Sequence, residues 1–225
     1  MTTTKNAVII GGHGKVARLA TTKLHDAGFS VSSLIRNPDQ ESDVREAGAE
    51  PVILDLESSD TDQLTSAFEG ADVVVFVAGA GGGDPQRTMA VDRDAAVRTI
   101  DAAKNAAVSR YVLLSYCGSS VDFLRVDEKD SFYPYTVAKH DADRYLRESG
   151  LTYTILAPGL LTNDPGSGRI VRIDPAAAAD VEPQGTSRDN VAEIISEVAT
   201  NGTAANQTVT FFDGDTPIEV ALRDE

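Results

Sequence analysis

The chain has 225 residues, 41% hydrophobic and 24% charged, the composition of an ordinary water-soluble globular protein. Thirty-five Asp and Glu against 20 Lys and Arg leave a formal charge of −15, which repels phosphate backbones and anionic lipids; neither nucleic acid nor a membrane is expected as a partner. One cysteine, Cys117, excludes an internal disulfide, and with no long apolar span and no leader-like start a cytoplasmic protein is expected.

Short apolar runs alternate with longer amphipathic stretches. The first run, 6–10, is a predicted strand that feeds Gly11-Gly12-His13-Gly14-Lys15-Val16-Ala17 and then a helix over 16–27. Gly11 allows a tight turn, Gly14 lets the backbone approach a pyrophosphate, and Ala17 is small enough for the helix to pack on the strand. The unpaired N–H groups of the helix start then face the phosphates. A glycine triplet signals a dinucleotide site only between a strand and a helix, which is its setting here. The second predicted strand, 30–35, ends at Arg36, where NAD-binding chains usually carry Asp or Glu for the ribose 2′-hydroxyl. A guanidinium there matches a 2′-phosphate, so NADP(H) is the expected cofactor. The other reading of Arg36 is an exposed loop arginine.

A helix over 40–47 precedes the third strand, 51–54, which ends at Asp55-Leu56, expected to flank the adenine. Asp55 can equally begin a turn. After a helix at 61–68, the fourth strand, 72–77, ends at Ala78-Gly79, expected beside the ribose and pyrophosphate. A long helix over 88–106, a strand over 110–115, a helix over 134–149 and a strand over 152–157 follow. A helix over 187–200 and a strand over 207–212 complete the pattern. Strands alternating with helices at this spacing predict an α/β fold: a Rossmann-type, doubly wound parallel sheet of six or seven strands. Residues 1–225 read as one domain with a small C-terminal elaboration on the substrate side. Beyond Pro158 only a short loop, one helix and one strand are expected.

Tyr135 and Lys139 lie four apart on a predicted helix and share a face. An ammonium beside a phenol favours phenolate, and such a phenol can exchange a proton with a carbonyl or alcohol oxygen. The alternative is a tyrosine that only packs. Cys117 has no evident base partner, and His13, His25 and His140 form no metal-ligand spacing, so no metal site is expected.

These pieces together resemble the atypical short-chain dehydrogenase/reductase superfamily, in particular its small NmrA-like, epimerase/dehydratase-like members. The resemblance rests on GGHGKVA (11–17), LIRNP (34–38), VAGAG (77–81), YTVAK (135–139), LTYTILAPGLLT (151–162) and TSRDNVAEII (186–195), in family order along nearly the whole chain. It implies a catalytic group of Ser115, Tyr135 and Lys139, with Lys139 also near the nicotinamide ribose. It also implies that Pro158 and Gly159 lie along the nicotinamide side. Cofactor contacts are thus expected from Gly11, His13, Gly14, Lys15, Val16, Arg36, Asp55, Leu56, Ala78, Gly79, Lys139, Pro158 and Gly159. A small-molecule substrate and a monomer or homodimer are expected. Three functions remain open: an NADP(H)-dependent oxidoreductase of a small carbonyl or quinone, a non-catalytic NADP(H)-binding sensor, and a sugar epimerase or dehydratase. The short C-terminal region disfavours the last.

Overall fold

The computed structural model describes residues 4–82, 84–174, 177, 181–182 and 184–223. Seven strands run parallel: β1 (Asn6–Ile10), β2 (Ser30–Ile35), β3 (Ala49–Ile53), β4 (Val73–Phe76), β5 (Arg110–Leu114), β6 (Tyr153–Pro158) and β10 (Gln207–Asp213). Their order across the sheet is β10–β6–β5–β4–β1–β2–β3. The order reverses between β1 and β4, and the crevice beyond the carboxyl ends of those two strands is where such sheets take ligands.

The near-continuous apolar character of these strands follows from burial on both faces. In β1, Ala7 and Ile9 point into one core layer, beneath α1 (Lys15–Asp26) and α7 (Arg188–Asn201). Val8 and Ile10 point into the other. The second layer is covered by α3 (Thr61–Ala67), α5 (Ala96–Asn105) and α6 (Tyr133–Glu148). β4 repeats the division, Val73 and Val75 to one side and Val74 and Phe76 to the other. Each such aliphatic side chain contributes about 1.5–3 kcal/mol by leaving water. Sequence-local signals set several helix starts. Asp60 and Gln63 form a reciprocal capping box on α3, and Ser187 accepts from the Asp189 amide at the start of α7.

Two regions differ from the sequence expectation. The long helix expected over 88–106 begins earlier, as α4 (Pro85–Thr88), and runs through a π-helical segment (Met89–Ala95) before α5. The C-terminal region also holds more than one helix and one strand. β7 (Leu160–Thr162) pairs in parallel with β9 (Gly185–Ser187) as a small separate sheet. β8 (Arg169–Ile173) runs antiparallel to β10, and β11 (Thr216–Pro217) antiparallel to β8, which widens the main sheet to nine strands among the described residues. A last turn, α8 (Ile218–Ala221), closes the chain against this edge. The short α2 (Glu41–Glu46) lies between β2 and β3. No described helix is long and apolar enough to cross a membrane.

Candidate active site

Gly11 ends β1 with φ +85°, a conformation that L side chains rarely adopt, and a Cβ there would stand 2.7 Å from the Ala78 Cα. The glycine therefore lets the β1 and β4 exits close on each other. Gly14 then caps α1 without a side chain. The first-turn N–H groups are left without a side-chain acceptor, and the first turn carries no acidic residue although the chain has 35. A helix start kept free of carboxylates in so acidic a chain suits a phosphate.

A cleft of about 530 Å³ opens over this start. Of the residues expected to hold the cofactor, Gly11, His13, Gly14, Lys15, Val16, Arg36, Asp55, Leu56, Ala78 and Gly79 all line it. At its outer end Arg36 is exposed, with Nη1 3.4 Å from Glu57 Oε1; Arg87 Nε donates to the same oxygen at 3.0 Å. Both guanidiniums thus meet at Glu57, and Asp55 lines the same cleft as a second carboxylate. At the inner end Arg188 reaches in from α7, donating to the Leu161 carbonyl at 2.9 Å and to Asn163 Oδ1 at 3.2 Å. His13 lies beside Asp43, its Nε2 2.9 Å from Oδ2.

A second cavity, about 480 Å³, continues from the first and shares Val77, Ala78, Gly79, Gly81, Leu114 and Leu161 with it. Ser115, Tyr135 and Lys139 all line this second space. Ser115 comes from the end of β5, and the other two come from the first turns of α6. Lys139 is buried: its Nζ donates to the Leu114 carbonyl at 2.7 Å and stands 3.6 Å from Asp92 Oδ1. It also lies 5.9 Å from the centre of the Tyr135 ring. Burial works against its charge, but Tyr135, Asp92 and Asp143 outweigh that and hold Lys139 above the usual lysine range. Burial pushes the Tyr135 phenol up, against the pull of Lys139, so the phenol carries its proton at neutral pH.

Asp92 sits in the π-helical segment, buried, and accepts from the Ala80 amide at 3.0 Å with its other oxygen. Asp143, fully buried one turn beyond Lys139, accepts from the Ser115 hydroxyl at 2.8 Å. Burial raises its pKa, against hydrogen bonds from Ser119 and Ser115 and the charge of Lys139. Cys117 is buried too; burial and Asp122 push its thiol up, which keeps it a thiol at neutral pH.

Pro158 and Gly159 are placed differently from the rest. Pro158 is buried in β6, and the Gly159 amide is bonded to the Phe211 carbonyl and Thr186 Oγ1. A Cβ at Gly159 would collide with the Gln184 carbonyl and Phe212, so packing accounts for the glycine. Leu161, two residues on, is the one that lines both spaces. Sequence reasoning missed Asp92, Asp143, Glu57, Arg87 and Arg188. Asp143 had a readable signal: an acid on the same helix face as the buried Ala142 and Leu146. Arg188 lies inside the quoted TSRDNVA motif but was assigned no role.

Comparison with known proteins identifies the family. A sequence model described as NAD(P)H-binding matches residues 11–202. The chain is 35% identical to a Bacillus subtilis protein named as an uncharacterized sugar epimerase, YhfK, over 96% of this chain and 97% of that one. It superimposes with a TM-score of 0.87 on a Bacillus halodurans protein provisionally titled an NAD-dependent epimerase/dehydratase, at 30% identity over 97% of this chain and 98% of that one. The oxidoreductase ylbE of Lactococcus lactis matches with a TM-score of 0.83, at 27% identity, over 96% and 94% of the two chains.

Proposed function

From the premise that this chain belongs to the NAD(P)H-binding family of atypical short-chain dehydrogenase/reductase-like proteins, we propose that it is an NADP(H)-dependent reductase of a small carbonyl or quinone compound. The observation that carries this reading is the buried Lys139 beside Tyr135, in a cavity that opens directly onto the dinucleotide cleft. A proton donor with a neighbouring cation is what a reductase needs and a sensor does not, which favours the reductase over the sensor in part. Such a cation costs several kcal/mol to bury and is retained here by an ion pair.

The residues present fit the cofactor. The α1 start would hold the pyrophosphate, with Lys15 and Arg188 lining the same cleft. The exposed Arg36, with Arg87 behind Glu57, offers a 2′-phosphate a charge-assisted pair. The chemistry a nicotinamide would supply when bound here is a hydride, an electron pair and a proton together, for the carbonyl carbon. Tyr135 gives its phenolic proton to the carbonyl oxygen and regains one from solvent. Lys139 steadies the phenolate that forms between those two steps. Ser115 acts in a more limited way. Its only proton is given to Asp143, so its oxygen accepts from the alcohol product; donating to the carbonyl requires release from Asp143.

The test is a fluorescence titration of the pure protein with NADPH and NADH, followed by absorbance at the nicotinamide band with aldehydes, ketones and quinones. The expected result is tighter NADPH binding and oxidation of NADPH by at least one carbonyl class. Tight binding with no oxidation across the panel supports the sensor instead.

A further inference from the structure

The charge and ring content of the catalytic cavity narrow the substrate, given the reductase reading above. We propose that this site takes an uncharged, flat compound whose carbonyl is conjugated to an aromatic or quinonoid ring, and that it rejects nucleotide sugars and other phosphorylated or carboxylated substrates.

The first argument is electrostatic. Among the described residues, the charged side chains lining the cavity are Asp92 and Lys139. Neither is available to a substrate anion. Lys139 donates to the Leu114 carbonyl and pairs with Asp92, while Asp92 accepts from the Ala80 amide. A substrate phosphate or carboxylate would enter a space whose cation is already balanced, beside a buried carboxylate. It would lose its hydration without gaining a partner. The residues outside the described set add no Lys or Arg. Lys15, Arg36, Arg87 and Arg188 line the neighbouring cleft, where the cofactor's own phosphates claim them. A diphosphate-linked sugar would have to bring two phosphates to a cavity whose one described cation, Lys139, is already paired with Asp92.

The second argument is geometric and independent of charge. Phe132 and Tyr135 both line the cavity and, with Tyr116, form a cluster of three rings. The centroids lie 5.8 Å apart for Tyr116–Phe132, 5.2 Å for Tyr116–Tyr135 and 5.3 Å for Phe132–Tyr135. Phe132 nevertheless remains 43% exposed at the start of α6. A large apolar ring packed on the proton donor and left open to the cavity offers a stacking face to a planar substrate. A volume of about 480 Å³ accommodates two fused rings.

The experiment uses the full chain saturated with NADP⁺ and reads binding by calorimetry. Three probes are compared: 2-acetylnaphthalene, its anionic analogue 6-acetyl-2-naphthoate, and UDP-glucose. The neutral ketone is expected to bind at least about tenfold more tightly than the carboxylate, with no measurable heat from UDP-glucose. Phe132→Ala is expected to weaken the ketone by roughly two- to tenfold, the range of one aromatic pair, with NADP⁺ affinity unchanged. Phe132→Tyr should restore ketone binding, separating stacking from loss of fold. Equal or tighter binding of the carboxylate or of UDP-glucose overturns the proposal, as does a ketone that does not bind or is indifferent to Phe132→Ala. NADPH oxidation is then measured separately. Ketone binding without oxidation keeps the substrate class and overturns the reductase reading. Oxidation supported by an anionic compound alone does the reverse.

Discussion

The cofactor cleft and the catalytic cavity both contain ion pairs, but in opposite settings. The Arg36 and Glu57 side chains keep 58% and 33% of their exposure, whereas Lys139 and Asp92 keep 5% and 3%. The exposed pair contributes at most about 1 kcal/mol and can open to admit a phosphate. The buried pair is locked, because either charge alone would be left stranded in a medium of low polarity. In the proposed function the cleft would bind by rearranging its charges, and the cavity would work by holding them still.

Removing one half of the buried pair is the severest way to break this contrast. Lys139→Met should destabilise the fold by about 3–5 kcal/mol, the penalty of an uncompensated buried charge, and abolish turnover. Urea unfolding monitored by circular dichroism checks the first part. The double variant Lys139→Met/Asp92→Leu should recover most of the stability and none of the activity.

Tyr135→Phe separates chemistry from packing. Turnover should fall roughly 10²–10⁴-fold with NADPH affinity unchanged, as measured by steady-state kinetics alongside fluorescence titration. Because burial raises the phenol's pKa, the acid form persists across the neutral range. The reduction rate should stay flat with respect to this group until pH rises beyond the ordinary phenol value near ~10 and decline only there.

On the exposed side, Arg36→Asp should cost NADPH about 1.5–3 kcal/mol of binding and leave NADH nearly unaffected. An unchanged preference would show Arg36 to be a bystander, with Arg87 the remaining candidate for the 2′-phosphate.

A smaller effect is expected at Asp143, where burial raises the folded-state pKa. The fold holds that proton more tightly than the unfolded chain does. The stability contributed by the group is complete below about pH 4 and is lost as pH rises through the folded value. Asp143→Asn removes this slope, so melting temperatures of variant and wild type should diverge in the variant's favour from pH 4 to pH 8.

The smallest effect belongs to Lys23, which joins α1 to α7 through Asp189 at 3.1 Å and Glu193 at 2.8 Å, partly in solvent. Lys23→Met should change stability by no more than about 1 kcal/mol and weaken in influence with added salt.

The same contrast explains what could be read from the residues alone. The glycine loop is contiguous and its chemistry local, so ten of the expected cofactor residues fall on one cleft. The central strands announced themselves by burial on both faces. The catalytic cavity draws on β5, α6 and the segment before α5, and only the Tyr135/Lys139 spacing within one helix showed this in advance. Asp92 gave no local sign, because its role depends on a departure from α-helical period that composition does not reveal. The three-residue strands Leu160–Thr162 and Gly185–Ser187 are too short to show alternation, and the antiparallel β8 directly follows the Gly- and Pro-containing segment 163–168. Gly159 carried a motif signal whose cause is crowding from Gln184 and Phe212.

The π-helical segment Met89–Ala95 makes the catalytic cavity depend on residue count as well as residue kind. A π turn accommodates one residue more than an α turn would. Loss of a single residue between Asp92 and Ala96 would let the segment close into regular α-helix. Asp92 would then swing about 100° around the axis relative to α5, the angle of one helical position. Lys139 would lose its carboxylate and the Ala80 amide its acceptor, although every residue discussed here would still be present. A relative shortened by one residue at this point could therefore keep the glycine loop, Ser115, Tyr135 and Lys139 and still be a different device.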